Sequence, residues 1–251
     1  MKKLQDKIAL VTGGAKRIGK GIAFALANEG AHVAITYRDS ADEARETVRE
    51  LEDYGIRAAA VHANLRDRES IRSAVAKVAA DFARPDFGGP VFRGIDILVN
   101  NAGLFETAAL DKISVEQWDA MFDTNTRAPF LVAQAAHPHL KAAHGRIINI
   151  GSLGGTHPWP THGHYCTSKA ALHMLTEVMS KAFAPEISVN CVAPGMIAIG
   201  DPSAEYEHFA RKTPMKRNGT VEEVAAAVLF FATGPHFITG QILGVDGGLG
   251  L

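Results

Sequence analysis

The chain has 251 residues, 47% of them apolar and 21% charged, which is enough to bury a core without disulfide or metal staples. Lys plus Arg number 26 and Asp plus Glu 27, a net charge of −1, so there is no broad cationic field for nucleic acid or an anionic membrane. The two cysteines, Cys166 and Cys191, make neither a disulfide framework nor a paired-cysteine metal site.

At the amino terminus Lys2-Lys3 is followed by Gln5-Asp6-Lys7, which interrupts any signal-peptide core. No run reaches the roughly 18 apolar residues of a membrane span. The expectation is a cytoplasmic protein with no nucleic-acid or membrane partner, forming a single domain over residues 1–251. Short apolar runs then alternate with helical stretches. The runs are Lys7–Val11, His32–Thr36, Ala58–Val61, Ile95–Val99, Arg146–Ile150, Ser188–Val192 and Gln241–Val245. Between them, Ile71, Ala74, Val75, Val78 and Phe82 follow the spacing of one helical face. Ser40-x-x-Glu43, Ser114-x-x-Gln117 and Thr220-x-x-Glu223 read as capping boxes, and Gly30 and Gly55 as residues just past helix ends. Near-continuous apolar strands separated by helices predict an α/β fold: a Rossmann-type, doubly wound parallel sheet of about seven strands with helices on both faces. Arg84–Pro90, with two prolines and two glycines, reads as a surface loop.

Strand one runs into Thr12-Gly13-Gly14-Ala15-Lys16-Arg17-Ile18-Gly19-Lys20-Gly21 and then a helix. A strand, a glycine turn and a helix N-terminus form an anion site, because unpaired N–H groups and the helix dipole meet where no side chain blocks approach. Strand two ends Tyr37-Arg38-Asp39-Ser40 without the acid at the strand end that selects a free ribose 2′-hydroxyl. Lys16, Arg17, Arg38 and Ser40 suit a 2′-phosphate instead, with Asp39 the one dissenting charge, so NADP(H) is expected over NADH. Arg17 costs nothing there if its φ stays negative. Tyr165-Cys166-Thr167-Ser168-Lys169 begins a helix, with Tyr165 and Lys169 at i and i+4 on one face. A phenol with a reference pKa of about 10 needs such an ammonium to trade protons near neutral pH.

In these segments the chain resembles the short-chain dehydrogenase/reductase family. Thr12–Gly21 is similar to its cofactor turn, with Arg17 in place of a glycine and a likeness to the pteridine reductase form. Asn100-Asn101-Ala102-Gly103 and Tyr165-x-x-x-Lys169 match further family motifs, with Ser152 thirteen residues before the tyrosine. The resemblance implies hydride transfer between a nicotinamide and a carbinol or carbonyl carbon, with Tyr165 handling the proton. Ser152 would hold the substrate oxygen, Lys169 would tune Tyr165, and Asn125 would keep a relay water in line. Gly13, Lys16, Arg17, Ile18, Gly19, Tyr37, Arg38, Ser40, Asn64 and Leu65 are then expected against the adenosine half of the cofactor. Asn101, Ala102 and Gly103 are expected under the cofactor ribose, Tyr165 and Lys169 at the nicotinamide ribose, and Pro194, Gly195 and Ile197 against the nicotinamide. Ile199 stands where the family pattern places a threonine.

The turn at Thr213–Arg217 and the tail Gly240–Gly248 resemble 3-oxoacyl-carrier-protein reductases, so a 3-oxoacyl thioester leads among small-molecule carbonyl substrates. A pteridine or quinonoid substrate stacked on Phe105 or Trp159 is the alternative, and a non-catalytic NADPH-binding regulator a third reading. His157, His162 and His164 lack acidic or cysteine partners, so no metal is expected; cleft-lining beside Trp159 suits them better. Gly200–Asn218 reads as a substrate lid, and a homotetramer through the helices carrying Asn125 and Tyr165 is implied by the family.

Overall fold

A computed structural model describes residues 2–83, 94–200 and 204–251. The loop expected at 84–90 lies outside those residues. Seven parallel strands form one sheet: β1 (Ile8–Val11), β2 (His32–Tyr37), β3 (Ala58–His62), β4 (Ile97–Asn100), β5 (Arg146–Ile150), β6 (Ser188–Pro194) and β7 (Ile242–Val245). Their order is β3-β2-β1-β4-β5-β6-β7. The chain therefore winds outward from β1 on one side, returns, and winds outward from β4 on the other.

Period-two alternation along each strand explains the layers. In β1, Ala9 and Val11 join a cluster with Ile22 and Leu26 of α1 (Arg17–Asn28) and Val228 of α8 (Val221–Thr233). Ile8 and Leu10 face the other way, into a cluster with Val78 of α3 (Arg68–Phe82), Leu140 of α5 (Ala128–Ala143) and Met179 of α6 (Gly163–Ala182). Every residue of β1, β4 and β6 is buried, as an internal parallel strand requires.

Gly30 and Gly55 both take positive φ just past α1 and α2 (Ala41–Glu52). Of the three expected capping boxes, two form: Ser114–Gln117 at α4 (Val115–Phe122) and Thr220–Glu223 at α8. The third does not. Ser40 has ψ 59°, away from the extended geometry an N-cap needs, and its hydroxyl caps nothing. Between α4 and α5 the backbone widens into a π-turn, Asp123–Arg127, which carries Asn125. No described helix is long and apolar enough to cross a membrane.

Candidate active site

At the carboxyl edge of the sheet the outward turns after β1 and β4 part, and a cleft of about 890 Å3 opens there. Thr12 stitches the two turns together: its hydroxyl oxygen accepts from the N–H groups of Asn101 (3.0 Å) and Ala102 (3.1 Å). The Asn101 amide in turn donates to the carbonyls of Thr12 and Gly13. Gly13 takes φ +63° to make the bend. At Gly19 a Cβ would lie 2.3 Å from the Gly13 carbonyl oxygen, so any side chain there would push the turn open. The helix start that follows has no side-chain cap and no acid in its first turn. Its N–H groups and dipole thus face the cleft unopposed, which fits a pyrophosphate.

Lys16, Arg17, Ile18, Tyr37, Arg38, Ser40, Asn64 and Leu65 all line this end of the cleft. One of them, Arg17, departs from expectation in its backbone. Arg17 has φ +54°, not a negative value, so its backbone sits in the left-handed region that β-carbons resist. Arg38 is engaged by its neighbour, Nε to Asp39 Oδ2 at 2.6 Å, although both side chains stay exposed. Asn64 Oδ1 already accepts from the Arg66 N–H at 3.1 Å. Arg66, two residues on, is a further cation on the cleft wall that no sequence motif marks. The Ser40 hydroxyl, unused as a cap, stays available to an anion.

The other end is built from buried side chains. Lys169 is 5% exposed, and its Nζ donates to the Ile150 carbonyl at 2.7 Å. Burial pushes its ammonium down to about 8. Burial pushes the Tyr165 phenol the opposite way, up to about 12, while a hydrogen bond with Ser152 pulls it back. The lysine nitrogen stands 6.0 Å from the centre of the tyrosine ring. Burial is the largest influence on the phenol in this geometry. Asn125 is fully buried behind this pair, where its Oδ1 accepts from Leu104 N at 2.7 Å and its Nδ2 donates to Leu104 O and Ser168 Oγ. A Cβ at Gly103 would sit 3.4 Å from Asn125 Oδ1 and 3.6 Å from Lys169 Nζ, so those two polar atoms flank one small gap.

Pro194, Gly195 and Ile197 line the cleft after β6. Ile197 forms a parallel bridge with Gly219, made by the Met196 carbonyl and the Ala198 N–H, so its own backbone groups are not spent on the bridge. That bridge ties together the two ends of the expected lid, within which lies α7 (Ala204–Lys212). Ile199, where the family pattern places a threonine, is held through its backbone. Tyr206 reaches back so that its hydroxyl accepts from Ile199 N (3.1 Å) and donates to Ile199 O (3.2 Å).

Aromatic rings crowd Tyr165. Phe105 meets its ring edge-on at 4.8 Å, and Trp159 lies nearly parallel to it at 6.1 Å. Phe105 and Trp159 line the cleft, but the three histidines do not. His162 stacks behind Phe105 at 4.8 Å, His157 bonds to Thr156, and His164 is fully buried with both ring nitrogens unpartnered. His164 is thus a core residue, and His162 backs Phe105 without lining the cleft.

Comparisons with known proteins agree with this architecture. A family model described as enoyl-(acyl carrier protein) reductase matches residues 13–250. A 3-oxoacyl-[acyl-carrier-protein] reductase of Synechocystis is 36% identical, covering 99% of both chains. Among solved structures, a short-chain dehydrogenase/reductase of Serratia marcescens superposes with a TM-score of 0.90 at 34% identity, covering 99% of this chain and 100% of that one. A short-chain dehydrogenase of Burkholderia cenocepacia in complex with NADP gives 0.89 at 38% identity, with the same coverage.

Proposed function

Given that the chain belongs to the short-chain dehydrogenase/reductase family, we propose that it interconverts a carbonyl and a secondary alcohol using NADP(H) in preference to NADH. The observation that carries this reading is the meeting of Ser152, Tyr165 and Lys169 in the same cleft as the glycine turn. The nicotinamide cofactor supplies or accepts the hydride when bound. In the reducing direction the Tyr165 hydroxyl gives its proton to the carbonyl oxygen, which the Ser152 hydroxyl holds. The phenol is protonated at neutral pH, and its hydrogen bond with Ser152 works against the rise that burial causes. Lys169 stabilises the phenolate left behind, and a water in the gap at Gly103 returns the proton along the Asn125 side.

Lys16, Arg17, Arg38 and Ser40 favour a 2′-phosphate, with Arg66 as a fifth contributor; the NADP-bound relative is consistent with that preference. The enzyme is read as one catalytic domain over residues 1–251 working in the cytoplasm. Exposed Phe130 on α5 and Met174 and Val178 on α6 support a homotetramer through those helices, which light scattering tests.

For the substrate, the relatives' names favour a 3-oxoacyl thioester. A planar quinonoid or pteridine ring is favoured by a different observation: Phe105 is anchored on Tyr165 and His162 yet leaves 58% of its surface exposed beside the cleft. The cations Lys16, Arg17, Arg38 and Arg66 stand at the adenosine end, while Glu106 lines the substrate end, which suits an uncharged ring better than an anionic carrier. Cofactor oxidation measured with a small activated ketone, an acetoacetyl thioester and a quinone, each with NADPH and NADH, decides these points. No turnover of any of the three would sink the proposed activity.

A further inference from the structure

Behind Ser152 lies a buried imidazole to which the proposed chemistry gives no role; any role for it depends on Ser152 and Tyr165 acting as proposed. His173 comes one helical turn after Lys169, so Tyr165, Lys169 and His173 form an i, i+4, i+8 stripe on α6. All three grip the segment that leaves β5. Tyr165 bonds to Ser152, Lys169 holds the Ile150 carbonyl at 2.7 Å, and the Ser152 N–H donates to His173 Nε2 at 3.4 Å.

The ring is 5% exposed and fills space that two glycines leave open. A Cβ at Gly151 would fall 2.3 Å from His173 Nε2, and one at Gly155 would fall 2.4 Å from its Cε1. An accepting Nε2 forces the proton onto Nδ1, which is buried without a hydrogen-bond partner. An unpaired buried donor is costly, so filling the space does not by itself explain a histidine there; leucine would fill it without that cost.

We propose that His173 is a positioning residue, whose neutral imidazole holds the Ser152 backbone so that the Ser152 hydroxyl meets the Tyr165 phenol. Its surroundings keep it neutral. Burial and the nearby Lys169 charge push it down to about 4, and the facing Cys191 thiol of β6, itself pushed up to about 12, brings no countercharge. Its Nε2 lone pair is thus free to accept throughout the neutral range.

The test uses the full chain with His173→Leu, His173→Gln and His173→Asn. Glutamine places an amide oxygen near the reach of Nε2, whereas asparagine is too short. In the leucine and asparagine variants kcat for ketone reduction falls on the order of tenfold or more, because the reacting group is misplaced. KM for NADPH stays within about twofold, and glutamine recovers most of the loss. Nitrogen NMR of the imidazole, read without cofactor or substrate and assigned by its loss in the glutamine variant, shows a proton on Nδ1 and no titration through mild acid. Wild-type kcat in the leucine variant would overturn the proposal, and so would an Nε2–H tautomer or glutamine and asparagine variants of equal activity. If the leucine variant does not fold, the glutamine–asparagine pair and the NMR still decide. Failure of the underlying reading is visible separately, as turnover that survives Tyr165→Phe.

Discussion

The two ends of the cleft are built on opposite principles. At the adenosine end, around the turns after β1, β2 and β3, the working groups are backbone N–H donors and exposed cations, some already paired with exposed acids such as Asp39 and Glu43. At the reactive end, beyond β4, β5 and β6, the polar groups are held by one another and by backbone groups, and burial moves Tyr165 and Lys169 far from their ordinary proton affinities. Exposed pairs contribute little to stability and are screened by salt, so the first end is cheap to retune. The second is not: each buried group depends on its neighbours, and one substitution leaves another without a partner.

That contrast can be broken by substitution. The largest effect belongs to Tyr165→Phe, which should cost ketone turnover on the order of a thousandfold, the usual scale for losing a positioned proton donor. NADPH binding, followed by fluorescence, should stay within severalfold; a large loss would mean that the two ends are coupled. At the other end Arg38→Asp should move the NADPH/NADH preference by about 10- to 100-fold, the worth of one charged hydrogen bond, with little change in kcat. An unmoved preference would take Arg38 out of the phosphate site and leave Arg17 and Arg66 to do its work.

A pH profile sharpens the comparison further. Burial holds the folded-state Lys169 near 8, below its ordinary value, so the ammonium is present below that pH and lost as pH rises through it. Ketone reduction should therefore decline above about pH 8, falling about tenfold per unit where the charge is essential. A limb near the ordinary lysine value would show that burial does not govern the site. Tyr206→Phe removes the hydroxyl that bonds both backbone groups of Ile199, and should raise KM several-fold, at about 0.5 kcal/mol per lost bond, with kcat nearly unchanged. Smallest is Arg17→Gly. Relieving a left-handed arginine should stabilise the fold by up to about 1 kcal/mol in urea unfolding while weakening the grip on NADPH.

What the sequence disclosed obeys the same divide. Apolar runs bounded by glycines located all seven strands, because a doubly covered parallel sheet leaves no polar face to blur the pattern. The glycine turn was legible because close backbone approach restricts residue type, and Tyr165 and Lys169 because their spacing is that of one helix face. Three-dimensional terms were not. The sign of φ at Arg17, the ψ of Ser40 that cancels its cap, and the desolvation of Tyr165 all depend on which segments pack together. The same is true of the residues missed. Arg66 comes one position after Asn64-Leu65, and His173 continues the Tyr165–Lys169 stripe by one turn, but only the folded chain shows what each faces.

The pairing of Ile197 with Gly219 has an evolutionary consequence. Both ends of the intervening stretch are tied beside β6, and the Met215 N–H anchors its later part to the Gly247 carbonyl, so freedom of length is confined to the parts between those ties. Doubling such a loop costs only about 0.6 kcal/mol of closure entropy. Insertions between those ties are then a low-cost way for descendants of this chain to take new substrates while Ser152, Tyr165 and Lys169 stay where they are.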